Sequence, residues 1–383
     1  MTSSRDHIEA LINTLKRATT FAMVFGKLSG TEDERRAALK RVFRAMLVHE
    51  DAAADADKAL ASAAFRMLVI AHKKAEAAIA LGKYDEPFAA GILGKDSEPV
   101  SASAASVLRS KYTYQLSATH RYSGDLSMIY DATVLETGEA ALVKIASAPT
   151  LNPMLEREAH ILTRCHDPKA AVPFDARLRP FMPRLIETFH AEGDAHSRFR
   201  VLVFPRTSHV SVTEILKAHP DLDHRDGAWI ARRVVGQTLV AAAAGVVHGA
   251  ITPDHVLVEP LKHEPLHIGW AHSPSSTRNE RITSVVRRWR HLYPPEVFMK
   301  DRPNHRTDVY MAAKTSILIF GGDAEKDTLP NSLPKPIAAI LKRAVEKSPA
   351  LRPTGAEFLE ELTRSVREAW GKEYRPLEMP VAT

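Results

Sequence analysis

The feature that most limits what this chain can fold into is a change of hydrophobic period near residue 205. From Tyr112 to about Phe204, short segments rich in Val, Ile, Tyr and Thr alternate apolar with polar residues, the period of half-buried strands; one helical stretch from Pro153 to Cys165 interrupts them. Beyond that point apolar residues recur at helical spacing near 226–245, 307–320, 335–346 and 354–369. Strands followed by helices, without regular alternation of the two, predict an α+β architecture with a β-rich lobe before a helical one. The chain has 383 residues, more than the roughly 250–300 a single core usually holds, so a further domain is expected. The longest apolar run, around Leu239 to Val247, falls short of the roughly 20 residues a membrane-spanning helix needs. Asp6 and Glu9 stand where a secretory leader would have a basic start and an apolar core. Together these readings point to a cytoplasmic protein with no membrane partner. The single cysteine, Cys165, has no partner for an internal disulfide and reads as a packing residue.

The further domain is read at residues 1–92. Thr31 and Glu34 have capping-box spacing, and behind them Leu39, Val42, Phe43, Met46 and Leu47 form an apolar stripe, with Arg36, Lys40 and Arg44 on another face. A second helix is expected from Lys58, its stripe made by Leu60, Ala61, Phe65, Leu68, Val69 and His72, so that the pair makes an antiparallel hairpin. Between the helices lie His49, Glu50 and Asp51. Over about residues 17–85 this arrangement resembles a J-domain, the co-chaperone module whose histidine-proline-aspartate loop triggers ATP hydrolysis in heat-shock chaperones. His49 and Asp51 match that loop, and Glu50 replaces the proline that fixes φ. The resemblance implies a heat-shock chaperone as partner; a hairpin that only docks on another surface is the competing reading. Gly91, Ser97, Pro99, Ser101, Ser103 and Ser106 mark 93–110 as a linker.

Further along, Lys144 sits in the run Ala141-Leu142-Val143-Lys144-Ile145, and Glu158 in Glu156-Arg157-Glu158-Ala159-His160-Ile161-Leu162. Then come Val247-His248-Gly249-Ala250-Ile251-Thr252-Pro253-Asp254-His255-Val256-Leu257, Leu266-His267-Ile268-Gly269-Trp270-Ala271, Tyr293-Pro294-Pro295-Glu296, Thr307-Asp308-Val309-Tyr310 and Ser348-Pro349-Ala350-Leu351-Arg352-Pro353. In order and spacing these motifs resemble the protein-kinase fold over about residues 112–370, which implies lobes at 111–205 and 206–370 and a tail at 371–383. By that resemblance Lys144 is the third-strand lysine that holds the α- and β-phosphates, and Glu158 is its helix partner. A purely structural ion pair would account for both equally well. Gly124 is what remains of the glycine-rich loop, followed by Asp125.

The positions that carry kinase chemistry are changed. Ala250 stands where the family has its catalytic aspartate, His255 where it has a metal-binding asparagine, Thr252 where it has a lysine, and Gly269 where it has the magnesium-binding aspartate. A methyl group accepts no proton, and magnesium prefers hard oxygen ligands to a ring nitrogen. His255 therefore reads first as a hydrogen-bonding residue and second as a metal ligand; Asp254 is the one alternative base. The parts that brace the fold, His248, Glu296, Asp308 and Arg352, are in place. The pattern implies a pseudokinase that works as an adaptor or scaffold through protein partners. It requires no cofactor, and ATP binding without catalysis is left open. An atypical kinase using Lys144, Glu158 and Asp254 is the competing enzyme. A third class comes from charge: His272 to Lys300 holds Arg278, Arg281, Arg287, Arg288, Arg290 and Lys300 against Glu280 and Glu296, a basic patch for an acidic partner or nucleic acid.

Overall fold

In a computed structural model of the chain, residues 4–46, 58–88, 107–170, 174–193, 197–274 and 280–371 are described. His49, Asp51 and Arg278 lie outside them. The elements run α1 (Ser4–Arg17), α2 (Ala22–Phe25), α3 (Glu32–Ala45), α4 (Lys58–Ala80), β1 (Val107–Arg109), β2 (Thr113–Leu116), β3 (Tyr122–Ser123), β4 (Ser127–Val134) and β5 (Ala140–Ala146). After these come α5 (Asn152–His166), β6 (Glu187–Glu192), β7 (Arg198–Pro205), β8 (Val210–Ser211), α6 (Val212–Ala218), α7 (His224–Ala243), β9 (Val256–Val258) and β10 (Pro265–His267). The chain ends with α8 (Pro295–Phe298), α9 (His305–Ile319), α10 (Lys335–Ala344) and α11 (Gly355–Trp370). Seven strands form one sheet in the order β1-β2-β4-β5-β7-β6, with β3 on β4; β8, β9 and β10 form a second, antiparallel one. The last residues of the stretch read as linker form β1, which pairs Leu108 with Tyr114. Among the described residues no helix is long and apolar enough to cross a membrane.

The described residues divide into two compact units: one draws on 1–130, 144–151 and 190–200, the other on 131–143, 152–189 and 201–383. In the first, Leu15, Phe21, Phe25, Leu39, Leu68, Ala71, Ala75, Ile79 and Tyr84 form one core. The helix α3 starts where the Thr31 backbone N–H donates to Glu34 Oε2 at 2.7 Å and the Glu34 N–H returns to Thr31 Oγ1 at 3.4 Å, satisfying two donors that no preceding turn can pair. Those bonds hold the Glu34 carboxyl below its usual range. Arg35 pairs with Asp85 at 3.1 Å while Phe43 meets the ring of His72 at 4.1 Å. Contacts advancing along α3 thus retreat along α4 and the turn after it, so the two run antiparallel. The Tyr84 hydroxyl donates to the Gly26 carbonyl at 2.9 Å, and burial pushes its pKa up to about 12.

In the second unit α9 is the central helix. Val309, Met311, Ala312, Ala313 and Ile319 are buried with Ile230, Ala231 and Val234 of α7 and Phe358 and Leu362 of α11. A helix covered on all sides has no solvent face for its polar groups, so each needs an internal partner. Thr315 Oγ1 donates to Ile251 O at 3.0 Å, Ser316 Oγ donates to Ala312 O at 2.7 Å, and buried Lys314 is held by Asp327 and the Ala324 carbonyl.

In the first unit, Tyr84→Phe removes one hydrogen bond and strands a carbonyl; we expect a loss of about 1–2 kcal/mol, read as a lowered urea midpoint at unchanged slope for the transition of that unit.

Candidate functional site

The site is built around the turn between α7 and β9, and it starts from the first turn of α9. Asn304 caps that helix by accepting from the Arg306 N–H at 2.8 Å and donating its own N–H to Thr307 Oγ1 at 3.1 Å. This placement sets Asp308 one turn in, fully buried. Its carboxylate accepts the backbone N–H of His248 at 2.8 Å on Oδ2 and that of Gly249 at 2.9 Å on Oδ1. Burial pushes its pKa up from 3.8 to about 7 against the opposing pull of those two donors. His248, also fully buried, donates from Nε2 to Ile268 O at 3.0 Å and accepts the Ala250 N–H on Nδ1 at 3.2 Å. One nitrogen giving and the other receiving require the neutral ring, consistent with a pKa that desolvation drives well below 6.5.

His255 donates from Nδ1 to the carbonyl of buried Ala250 at 2.9 Å. Its ring lies over Gly269, whose φ of +88° is a left-handed conformation. A Cβ built on Gly269 would stand 2.5 Å from His255 Nδ1 and 2.6 Å from Cγ. The imidazole therefore occupies the space a side chain at 269 would need: the two changed positions fill each other. Next to them Trp270 is completely buried among Ile161, Leu162, Cys165, Met182 and Val240, and its Nε1 donates to His267 O at 2.7 Å. Burial raises the Cys165 thiol pKa there, which keeps the sulfur protonated and unreactive.

Asp254 is held on both oxygens, by Thr213 Oγ1 on one and Trp289 Nε1 on the other, each at 2.5 Å, with Arg288 3.8 Å away. These bonds tie the segment after the site back onto the turn. Arg157 of α5 adds a second tie, donating to Ser273 O at 3.0 Å and to Glu280 at 2.7 Å. A third ring of contacts surrounds Arg352. Its guanidinium reaches Glu296 with two bonds of 2.6 and 2.9 Å, donates to the carbonyls of Arg306, Glu346 and Lys347, and stacks 4.7 Å from the Tyr310 ring. Both members of this pair are buried.

The structure thus brings together Ala250, His255, Gly269, His248 and Asp308. Lys144 lies half-buried on β5, Glu158 is buried on α5, and Gly124 is exposed in the β3–β4 turn, donating its N–H to Ser127 O at 2.9 Å. Arg281, Arg288 and Arg290 are exposed and Arg287 is half-buried. Sequence reasoning missed the Asp254–Trp289 and Arg157–Glu280 ties; the tryptophan set among three arginines was the available signal for the first. The donor set does not fit the magnesium ion that the resemblance to protein kinases implies. Glycine offers no side-chain oxygen at 269, His255 Nδ1 is spent on the Ala250 carbonyl, and the remaining ring nitrogen is a poor substitute for the hard oxygen ligands magnesium prefers. Among the described residues no three His, Cys, Asp or Glu side chains gather closely enough to hold a metal.

No protein-family model matches the chain. Over 201 aligned residues it is 23% identical to the "Serine/threonine-protein kinase PknK" of Mycobacterium bovis, and equally to the proteins of that name from two strains of Mycobacterium tuberculosis. The alignment covers 47% of this chain and 18% of each relative, so the chain matches less than a fifth of their length. The chain is thus distantly similar to a protein kinase over part of its length.

Two outcomes follow from this geometry. Gly269→Ala is expected to destabilise by about 1–3 kcal/mol from the positive φ alone and further from contact with the ring. His255→Ala in the same chain should relieve only the contact part, so a double-mutant cycle by denaturant unfolding will be non-additive. For Asp308 the folded pKa, about 7, lies above the unfolded value of 3.8. Its contribution to stability is therefore fully present below pH 3.8 and is lost as pH rises through 7. Melting Asp308→Asn beside the parent from pH 4 to 8 should show the parent losing stability relative to the variant across that window.

Proposed function

We propose that the chain is a catalytically silent, protein-kinase-like binding module, an adaptor or scaffold whose N-terminal helices serve as a second docking element of the J-domain kind. The observation that carries this reading is the mutual filling of His255 and Gly269. Phosphoryl transfer relies on positioning and on charge clamps, with a metal ion neutralising the developing charge and a carboxylate taking the hydroxyl proton. With Ala250 and Gly269 at the two carboxylate positions and an imidazole packed between them, the site has neither. Asp254 does not replace them, because both of its oxygens already hold donors.

The retention of Glu296, Arg352 and Asp308 supports the same reading. Removing one partner of a buried pair leaves an uncompensated charge, about 3–5 kcal/mol, so these residues keep a platform standing whether or not it transfers phosphate. For the helical unit the support is the capped α3 packed on α4, with Arg36 and Lys40 exposed on its surface. Basic side chains on a helix surface suit an acidic partner, with Arg36 already sharing its charge with Glu32 at 2.6 Å and Lys40 exposed beside it.

The test is thermal denaturation of the full chain with ATP, with and without magnesium, beside a phosphoryl-transfer assay that includes Lys144→Ala. A ligand that binds only the folded state raises its stability. We expect no magnesium-dependent shift and no turnover above the Lys144→Ala control; magnesium-dependent turnover that the lysine variant abolishes would sink the proposal.

A further inference from the structure

The stretch from Glu280 to Arg302 has its charges sorted by the fold. Its carboxylates are largely turned to internal partners: Glu280 takes Arg157 at 2.7 Å and Glu296 takes Arg352 at 2.6 Å, leaving Asp301 as the exposed acid. Its cations point outward. Arg281, Arg288, Arg290, Lys300 and Arg302 are exposed, and the Arg288 side chain keeps 54% of its surface even with Asp254 nearby. Two of these guanidinium groups are stacked on rings, Arg288 at 4.9 Å from the Trp289 centroid and Arg290 at 4.8 Å from that of Phe298. A stacked guanidinium has its plane fixed and its N–H edges free to fork onto a carboxylate.

Apolar surface lies directly beside Arg290. Phe298 is 44% and Met299 65% exposed, and Arg290 bridges the two kinds of surface because it sits on the Phe298 ring. A partner made of charge alone would leave Phe298 and Met299 in water, whereas one that sets carboxylates around an apolar side chain satisfies both. We propose that this face docks an acidic polypeptide segment, its carboxylates on Arg288, Arg290 and Lys300 and one apolar side chain against Phe298 and Met299. The proposal rests on the binding-module reading above and names its partner class. The face is already ordered: Trp289 is tied to Asp254, and the Tyr293 hydroxyl accepts the Val286 N–H at 2.9 Å. Binding therefore spends little on arranging the surface.

The experiment titrates the full chain into a fluorescein-labelled peptide of glutamates around a central leucine, read by anisotropy. The same peptide with glutamine for glutamate, an all-glutamate peptide without leucine, and single-stranded oligothymidylate of equal charge serve as comparisons. We expect the glutamate–leucine peptide to bind and the glutamine peptide not to. The Arg288→Gln/Arg290→Gln double variant should weaken binding by about tenfold or more. Phe298→Ala, and independently Met299→Ala, should weaken the leucine peptide severalfold and leave the all-glutamate peptide unchanged. Because the altered side chains are exposed, unchanged circular-dichroism melts will show that the fold is kept. Equal binding of the glutamine peptide, indifference to the arginine variants, or tighter binding of oligothymidylate with no effect of Phe298→Ala would each overturn the proposal, the last in favour of nucleic acid. A serine-bearing version of the peptide, incubated with magnesium and ATP, separates the two readings. Its phosphorylation sinks the silent-module reading and leaves the docking face standing; no binding together with no turnover sinks the docking face alone.

Discussion

The second unit is organised by one buried carboxylate. Asp308 is held by the backbone N–H groups of His248 and Gly249, and among the described residues no cation is bonded to it. A carboxylate removed from water is costly unless its lone pairs are taken up by donors, and two backbone amides aimed at one carboxylate can be supplied only by a turn of defined shape. The dependence runs in both directions, since the turn needs an acceptor for two N–H groups that no strand or helix would satisfy. From this turn follow the neutral His248 ring, the Ala250 carbonyl that orients His255, and the hydroxyl of Ser273, which donates to His248 O at 3.2 Å. What looks like a catalytic loop is, in physical terms, a device for burying a carboxylate against backbone.

That distinction explains which charges the chain keeps. The ionisable side chains that the fold buries are those whose partners come with the fold: Asp308 with backbone N–H groups, Glu296 with Arg352, Lys314 with Asp327. Charges that would serve chemistry need a ligand to justify their placement, and an unliganded carboxylate pair facing each other raises its own energy. With Gly269 and His255 in place of such a pair, the same space is filled by an imidazole ring rather than by facing carboxylates. The ring of His255 and the bare Cα of Gly269 together leave this interior well filled.

Much of the fold was legible from periodicity. The segments read near 226–245, 307–320, 335–346 and 354–369 match α7, α9, α10 and α11 to within two residues at either end, because each has enough turns for an apolar stripe to stand out. The short α2 and α6, and the amphipathic α1, were not anticipated; the two short ones hold too few residues for a period to register. At the site the residue types were legible and their relations were not. Nothing at position 255 announces that its ring will lie over residue 269, since this depends on the positive φ of Gly269 and on β9 and β10 pairing Val256 with His267. Asp254 read as a conceivable base because its partners, Thr213 and Trp289, lie 41 and 35 residues away. His49 and Asp51, which carry the J-domain resemblance, and Arg278 of the basic patch fall outside the described residues.

The ties on residues 280–293 have a further physical consequence. A segment that must be switched is drawn from the less stable parts of a fold, so that a new charge can order it. Here the order comes from groups already in the chain: Glu280 supplies a permanent negative charge to Arg157, Asp254 receives the indole N–H of Trp289, and Tyr293 closes on Val286. None of these ties needs a modification to form. A surface tied by groups already in the chain has its shape set without a modification. Arginines stacked on Trp289 and Phe298 keep that shape at the level of single side chains, because stacking restricts rotamers that exposed arginines would otherwise sample. Constancy of shape is what the proposed binding role calls for, whereas a turnover cycle that opens and closes a site calls for mobility.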